Sequence, residues 1–385
     1  MNRFVSRMTP RQRMLASFAG QPVDCFPVTA PYLMLTQADH WTKYTRQESW
    51  TYYAWCLQPP SEHIQEYLRY YRELPFDIAQ PQQWTAARGD RGYRRVVPAL
   101  ERNGYDELDT RSGSRRPLVL NLHEKDQDSE WPRSVFSERD IRARIPIQSA
   151  QHILDEGRLD YLAAYARAFG KEQFVTGTLV NSFYNSSHYV GLTNRFYLLT
   201  DEPELMHQII ERLTLRNIEE IRAMALAGAD AVFIDDATAT KDMISKPMFC
   251  DFSLPYLKRQ VDAAHEVGLK VILIYFGGIA DRVEEIVSAG ADALLMETTM
   301  KGFTNDLEKV AVQVNDRMLM FGNLNPRDDV ELKPENELAD VMLAQIQVGK
   351  KYGRFVVSTG SPLTPGTTLE RMQRYIELGH ELSKF

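Results

Sequence analysis

The chain has 385 residues, of which 44% are hydrophobic and 25% charged, and its formal net charge at pH 7 is -7. These values are typical of a globular protein with one sizeable core. The acidic balance argues against a nucleic-acid partner, and the longest apolar runs are too short to span a membrane. Because the three cysteines are scattered and the first residues show no apolar signal region, we expect a cytoplasmic, reduced protein.

The first 150 residues show only a few strong structural signals. A helix is expected over residues 8–20, followed by a first strand at 26–29 and a second at 76–79. Residues 82–150 are rich in arginine, aspartate, glycine and proline, and their apolar periodicity is weak. Since a structureless loop of that length is unusual in a compact domain, we expect an insertion built from short β-hairpins and some helix.

Strands and helices alternate clearly in the second half of the chain. Six strands are predicted there, at residues 174–179, 230–235, 270–275, 292–297, 317–322 and 355–358. The predicted helices between and after them cover residues 203–226, 247–267, 279–289, 304–315, 336–352 and 367–383. Apolar strands that alternate with amphipathic helices indicate a parallel sheet.

One ten-residue segment occurs twice in similar form. Residues 227–236 read Ala-Gly-Ala-Asp-Ala-Val-Phe-Ile-Asp-Asp, and residues 289–298 read Ala-Gly-Ala-Asp-Ala-Leu-Leu-Met-Glu-Thr. Each copy has a helix-terminating glycine, a short apolar strand and a carboxylate at the strand end. With the two early strands, this repeat predicts a single (β/α)₈ TIM barrel over residues 1–385, with the insertion at 82–150 covering its mouth.

The carboxyl ends of barrel strands carry the active site, so residues at those positions are the catalytic candidates. Asp235, Asp236 and Glu297 offer carboxylates for acid–base chemistry or metal binding, although each could instead cap a turn or pair with a neighbouring cation. Tyr275 offers a phenol that could donate to a developing oxyanion, or it could be a packing residue. His188 is expected in a polar loop and is a candidate for proton transfer, with a surface histidine as the alternative.

Four further polar residues are expected at strand ends, where they would bind substrate. They are Asp77, Asn181, Asn323 and Ser361. No metal-binding motif of the His-x-Cys, Cys-x-x-Cys or His-Glu-x-x-His type occurs, and there is neither a P-loop nor a nucleophile elbow. The sequence therefore predicts a polar pocket without a resident metal or intrinsic cofactor.

Several segments resemble the uroporphyrinogen decarboxylase superfamily, which also contains the cobalamin-dependent methyltransferases. The similar segments are Met-Thr-Pro-Arg-Gln-Arg at residues 8–13, Asp-Glu-Pro-Glu-Leu at 201–205, the first copy of the repeat, Gly-Asn-Leu-Asn-Pro at 322–326 and Ser-Thr-Gly-Ser-Pro at 358–362. The resemblance spans most of the chain and is strongest from about residue 174 onward. It implies a TIM barrel and is compatible with a homodimer.

Two departures from the family pattern narrow the expected chemistry. The zinc methyltransferases of this group carry His-x-Cys after the fifth strand and a cysteine in the last loop, where this chain has Tyr275, Gly277 and Ser361. The decarboxylases carry an arginine-rich segment after the first strand, where residues 29–34 read Thr-Ala-Pro-Tyr-Leu-Met. Asp77 matches the family's pocket aspartate only loosely. The resemblance therefore implies neither thiol activation by zinc nor a tetrapyrrole substrate.

The leading hypothesis is a methyltransferase-like enzyme that lacks the usual zinc site. It would bind a small methylated substrate and present the methyl group to the cobalt of a corrinoid (cobalamin) carried by a partner protein, with a carboxyl group protonating the leaving atom. The first alternative is a decarboxylase of a porphyrin-like or small carboxylic acid, gripped by the insertion's arginines (Arg88, Arg91, Arg94 and Arg95). The second alternative is a barrel that binds a ligand without catalysis.

Overall fold

The computed structural model describes residues 8–118, 137–299 and 302–385. Eight parallel strands form one sheet, in the order β1-β11-β10-β9-β8-β7-β6-β2, and three others form a separate antiparallel sheet, β3-β4-β5. The strands are β1 (Val28–Thr29), β2 (Ile78–Ala79), β3 (Arg94–Pro98), β4 (Tyr105–Asp109), β5 (Arg115–Pro117), β6 (Phe174–Val180), β7 (Ala231–Asp235), β8 (Lys270–Tyr275), β9 (Ala293–Met296), β10 (Leu319–Phe321) and β11 (Phe355–Ser358). The predicted (β/α)₈ barrel is confirmed.

Helices connect the barrel strands and surround the sheet. They are α1 (Pro10–Phe18), α2 (Leu33–Thr45), α3 (Pro60–Glu73), α4 (Glu138–Arg144), α5 (Ala150–Asp155), α6 (Asp160–Phe169), α7 (Ser182–Val190), α8 (Leu192–Asp201), α9 (Pro203–Leu226), α10 (Lys246–Met248), α11 (Leu254–Glu266), α12 (Val283–Val287), α13 (Leu307–Val314), α14 (Glu335–Tyr352) and α15 (Leu369–Leu382). A 3₁₀ helix covers Ser49–Cys56, and π-helical turns cover Phe249–Ser253 and Pro326–Glu331. Within the described parts of the chain, no helix is long and apolar enough to cross a membrane.

The strands divide their side chains between two hydrophobic layers. In β7, Ala231 and Phe233 belong to the small cluster that fills the barrel, whereas Val232 and Ile234 belong to the larger cluster between sheet and helices. Successive side chains of a strand point to opposite faces, so the next residue, Asp235, points into the barrel at its carboxyl end. This alternation decides which strand-end residues can meet in the mouth.

The aspartate inside each copy of the repeat has a structural role at the opposite end of the barrel. The Asp230 N–H donates to the Val175 carbonyl (2.7 Å) while its Oδ2 accepts from the Val175 N–H (3.0 Å). Asp292 makes the same two bonds with Val271, at 3.0 and 2.9 Å. Each aspartate therefore satisfies the first backbone groups of the preceding strand. The repeat marks the amino ends of strands as well as the carboxyl ends.

Asp77 follows this amino-end pattern, so its expected position at a carboxyl end is wrong. The structure starts β2 at Ile78, and Asp77 exchanges the same pair of bonds with Val28, at 2.9 and 2.7 Å. Its carboxylate also accepts from the Arg13 guanidinium and lies 2.8 Å from His380 Nε2. Because β1 and β2 are the two ends of the sheet order, Asp77 joins the two sides of the barrel seam.

The segment expected to be an insertion contains the antiparallel sheet β3–β5 and the helix α4. Its residues 119–136 lie outside the described part of the chain. Two of the arginines suggested as a substrate grip are engaged elsewhere, since Arg88 and Arg91 both pair with Asp160, each at 2.6 Å. A third, Arg94, pairs with Glu107 at 2.5 Å. That the insertion covers the mouth stays a prediction.

Candidate active site in the barrel mouth

Asp235 is the carboxyl group that β7 directs into the barrel. The Tyr32 hydroxyl donates to its Oδ2, and the Ala237 N–H donates to its Oδ1 at 2.8 Å. The residue is only 5% exposed. Burial raises its pKa to about 7, against the lowering effect of the two hydrogen bonds, and the neighbouring Asp236 raises it slightly further. A carboxyl group whose pKa is raised toward neutrality can act as a general acid.

Tyr32 is a site residue that sequence reasoning missed. It precedes α2 in the left-handed backbone region, with φ 54° and ψ 47°, and its ring lies 5.8 Å from that of Phe276. The next amide, that of Leu33, donates to Gln80 Oε1 (3.2 Å), and Gln80 Nε2 donates to Thr178 Oγ1 (3.0 Å). The ends of β2 and β6 therefore hold Tyr32 in place. No sequence signal links Tyr32 to Asp235, because the two lie 203 residues apart.

Glu297 and Ser361, both predicted as site residues, meet at the ends of β9 and β11. Ser361 Oγ donates to Glu297 Oε1 at 3.2 Å, and Glu297 is 2% exposed. Asn305 fixes the backbone here, since its Nδ2 donates to the Glu297 carbonyl at 3.0 Å. Asn323, another predicted residue, donates from Nδ2 to the Asn305 carbonyl (3.0 Å) and accepts from Gln345 Nε2 (3.2 Å). Asn323 thus supports the loop that carries the carboxylate.

Asp236 points away from Asp235, into the layer between sheet and helices. Ser253 Oγ donates to its Oδ2 (2.6 Å), and Asn181 Nδ2 donates to the same Ser253 oxygen (2.9 Å). Asn181 in turn accepts from Gln260 Nε2 at 2.6 Å. Burial raises the pKa of Asp236 to about 6, and the hydrogen bonds limit the rise. Ser253 ends a π-helical turn, a distortion that is frequent at functional sites. Asp236 and Asn181 thus form a buried network behind the mouth.

The expected position of Tyr275 in the mouth is wrong. Asp235 and Ile274 are register partners in β7 and β8, and both face inward, so Tyr275 faces outward. It belongs to the layer between sheet and helices, where it is fully buried and burial raises the pKa of its phenol well above the ordinary value. Phe276 takes the inward place. Successive side chains of a strand face opposite sides, so Phe276 faces the mouth and Tyr275 faces the helices.

His188 lies on the exposed side of α7 rather than in a loop. Its Nδ1 is 3.2 Å from Asn185 Oδ1, and its ring centroid is 5.7 Å from that of Tyr184 on the same helix. A role in proton transfer therefore stays a prediction for this residue.

Two arginines lie near Asp236, although the sequence showed no cation at the strand ends. Arg195 of α8 and Arg282, which precedes α12, are both fully buried, and their charges lower the pKa of Asp236. Arg195 donates to Thr238 Oγ1 and Arg282 to the Ala239 carbonyl, each at 2.8 Å. They therefore brace the loop after β7. Helices and loops, rather than strand ends, supply the positive charges near Asp236.

The three positions at which related methyltransferases bind zinc do not suit zinc here. The Tyr275 phenol faces the helices, Gly277 has no side chain, and the Ser361 hydroxyl donates to Glu297. A Cβ atom on Gly277 would lie 2.4 Å from Thr240 Oγ1, so close packing of the loops explains that glycine. In the three described stretches of chain, no group of three or more His, Cys, Asp and Glu side chains is placed to hold a metal ion.

A family model described as "Uroporphyrinogen decarboxylase (URO-D)" matches residues 119–382, which is more than half of the chain. The chain belongs to the URO-D family. This membership agrees with the fold and with the resemblance carried by the sequence motifs. Superfamily members are enzymes of decarboxylase or methyltransferase type, and the family alone does not decide between the two reactions.

Individual relatives of this URO-D family member are distant. The uroporphyrinogen decarboxylase of Pseudomonas fluorescens (strain Pf0-1) is 31% identical over 192 residues, covering 48% of this chain and 51% of the relative. That of Coxiella burnetii (strain Dugway 5J108-111) is 28% identical over 191 residues, covering 47% and 48%. The chain thus spans about half the length of the curated relatives it matches. A solved methyltransferase from Methanosarcina mazei shares the fold, with a TM-score of 0.65, 18% identity and coverage of 97% and 99%.

Proposed function

We propose that this protein is a methyltransferase-like enzyme that moves a methyl group from the heteroatom of a small substrate to a corrinoid carried by a partner protein. The observation that carries the proposal is the setting of Asp235, an inward-facing, buried carboxyl group whose Oδ2 accepts from the Tyr32 phenol and whose pKa burial raises to about 7. The corrinoid is here a co-substrate, and the barrel supplies the residues that bind and activate the methyl donor.

A proton donor is what methyl transfer from an oxygen or nitrogen atom requires. When the bond from the heteroatom to the methyl carbon breaks, its electron pair stays on the heteroatom, and the methyl group leaves toward the acceptor. A proton from Asp235 would neutralise the charge that develops there. Positioned general acids contribute about 10²–10⁴-fold to rates. Glu297 and Ser361, which are joined on the β9–β11 side, would orient the substrate, with Asn181 and Asn323 holding the surrounding loops.

The charge of the mouth favours a neutral donor over a polycarboxylic acid. Among the described inward-facing residues at the strand ends, Asp235 and Glu297 are carboxyl groups, and the others, such as Gln80 and Phe276, carry no positive charge. Asp77, which matches the family's pocket aspartate only loosely, lies at the opposite end of the barrel. Decarboxylation of a porphyrin-like or small acid remains the second candidate because the curated relatives bear that name.

Reconstitution with free cob(I)alamin tests the proposal. The purified protein is mixed with cob(I)alamin and a panel of small O-methyl and N-methyl compounds, and formation of methylcobalamin is followed by visible absorption. We expect turnover with at least one donor and a loss of about 10²-fold or more in D235N. Y197F, which changes an exposed tyrosine of α8, is the matched control.

Three results would redirect the assignment. Unchanged turnover in D235N, D236N and E297Q would remove the carboxyl groups from the chemistry. Release of CO₂ from porphyrinogen carboxylates, without methyl transfer, would establish the decarboxylase alternative. Ligand binding seen as a rise in melting temperature, without turnover of any compound, would favour a non-catalytic barrel. A corrinoid-carrying partner and a homodimeric state are part of the proposal, to be tested by co-purification and by light scattering.

A further inference from the structure

We infer that Tyr32 is a catalytic residue, the proton relay through which Asp235 protonates the leaving heteroatom. This inference rests on the proposed function, and it assigns the final proton transfer to a residue that neither the sequence motifs nor the family resemblance identifies.

The hydrogen bonds of Asp235 leave one route for its proton. Oδ1 accepts from the Ala237 N–H and faces the backbone of the loop after β7. Oδ2 meets the Tyr32 hydroxyl. Asp235 is almost fully buried, whereas Tyr32 is only partly buried, and the Tyr32 hydroxyl is the side-chain group that contacts Oδ2. In the proposed relay, the Tyr32 hydroxyl stands between the substrate and Asp235.

The backbone at Tyr32 supports an assigned role for this side chain. Four non-glycine residues among those described have positive φ, and three of them, Arg46, Asn315 and Asp316, lie just after helix C-termini, where this conformation is common. Tyr32 instead precedes a helix, where a left-handed aromatic residue is a genuine outlier. Such strain persists where surrounding contacts hold it, often at active sites. Here the Leu33–Gln80 bond holds the backbone.

The position of Tyr32 in the sequence distinguishes this chain from the decarboxylases that it resembles. It lies in residues 29–34, where the resemblance places an arginine-rich segment. An arginine binds carboxylates but cannot give up a proton in a protein. A phenol can donate and accept at the same oxygen. Residues 29–34 contain no arginine, and Tyr32 gives this segment a group that can both donate and accept a proton.

The relay step balances as follows. The bond between the heteroatom and the methyl carbon breaks, and its electron pair stays on the heteroatom. The methyl carbon would bond to the cobalt of the Co(I) corrinoid co-substrate, which would supply the electron pair of the new bond and become Co(III). The heteroatom takes the proton of the Tyr32 hydroxyl, and the Tyr32 oxygen takes the proton of Asp235. Tyr32 is unchanged at the end, and Asp235 carries the negative charge. Phe276 packs against the Tyr32 ring and restricts the orientation of the phenol.

The first test uses the resting protein and needs no substrate. The carboxylic acid stretch of Asp235 is identified by infrared difference spectroscopy as the band lost in D235N and is titrated with pH. In Y32F we expect its midpoint to move to higher pH, because the phenol donates to the ionised carboxylate. The other ionisable groups acting on this pair are Asp236, behind Asp235, and Tyr184, near the Tyr32 phenol. Y197F should leave the midpoint in place.

The second test measures how many protons move together during methyl transfer. In mixtures of H₂O and D₂O, a relay gives a curved dependence of the single-turnover rate on deuterium content, since two protons move together. We expect a straight line in Y32F and a rate about 10²-fold lower. Incorporation of 3-fluorotyrosine at position 32 keeps the hydroxyl and the fold, and should change the rate through the acidity of the phenol.

Failure of the relay can be separated from failure of the proposed function. Wild-type methyl transfer with a linear isotope dependence, or an unchanged rate in Y32F, overturns the relay and leaves the general acid. If the Asp235 band of the wild-type protein titrates near pH 7 but no methyl transfer occurs, the proposed function is overturned, and the relay with it. An unmoved infrared midpoint in Y32F contradicts the Tyr32–Asp235 contact on which the relay depends.

Discussion

Replacing Asp235 by asparagine should stabilise the protein above neutral pH while removing activity. Asparagine keeps the shape of the side chain and can still accept from the Ala237 N–H, but it cannot ionise. The pKa of Asp235 rises from 3.8 in the unfolded chain to about 7 in the folded protein. At about 1.4 kcal/mol per pH unit, this difference corresponds to about 4 kcal/mol of folding free energy, as an order of magnitude.

The sign follows from which state binds the proton more tightly. A raised folded pKa means that the folded state holds the proton more strongly, so the stabilisation is complete below pH 3.8 and is lost as pH rises through about 7. The asparagine variant does not suffer this loss. The free energy of unfolding of D235N, measured relative to wild type, should therefore rise with pH by up to about 4 kcal/mol between pH 4 and pH 8.

Urea unfolding at a series of pH values measures this difference. Groups that do not interact with Asp235 titrate alike in the two proteins and cancel in the comparison. D109N is an informative control because hydrogen bonds from Arg111 hold the pKa of exposed Asp109 at about 2. Its pH dependence has the opposite sign and falls below pH 3.8, so the difference between D109N and wild type should stay flat from pH 4 to pH 8. A difference between D235N and wild type that stays flat from pH 4 to pH 8 would refute the claim that Asp235 is buried as a largely neutral acid.

Three further predictions address function and the two ends of the barrel. The rate of methyl transfer should fall as pH rises through about 7, because Asp235 then loses the proton that it must donate, and a pH–rate profile checks this. Asp77→Ala should destabilise the fold by about 3–5 kcal/mol, since it leaves the buried Arg13 without this partner, and a strongly lowered midpoint of urea unfolding is the expected sign. Ser253→Ala should cost about 1–3 kcal/mol and raise the pKa of Asp236 by removing its hydroxyl donor, whereas an unchanged unfolding curve would contradict that bond.

Local sequence patterns were sufficient for the architecture. The helix predicted over residues 203–226 matches α9 at both ends, and the strands predicted at 270–275 and 355–358 match β8 and β11. These elements are long or strongly apolar, so periodicity and terminators decide them. Likewise, the alternation of residues 231–235 is enough to turn Asp235 into the barrel once the strand is recognised.

Short strands were the weak point, and the reason is physical. Strand β2 has two residues, so its own pattern cannot say which end Asp77 occupies. The answer comes from its bonds to Val28 across the seam, a contact between residues 49 positions apart. Tyr275 was misplaced for a related reason, since the face of a residue at a strand end follows from the register with the neighbouring strand.

The candidate active site depends on closure of the barrel. Asp235 and Glu297 could be chosen from the sequence because each ends a copy of the repeat. Their partners could not. Tyr32 arrives from the loop after β1, which is not a neighbour of β7 in the sheet, and Arg195 arrives from a helix. Local sequence decides which residues end a strand, but only the closed sheet brings the ends of non-adjacent strands together, because closure sets distances across the barrel that no local pattern encodes.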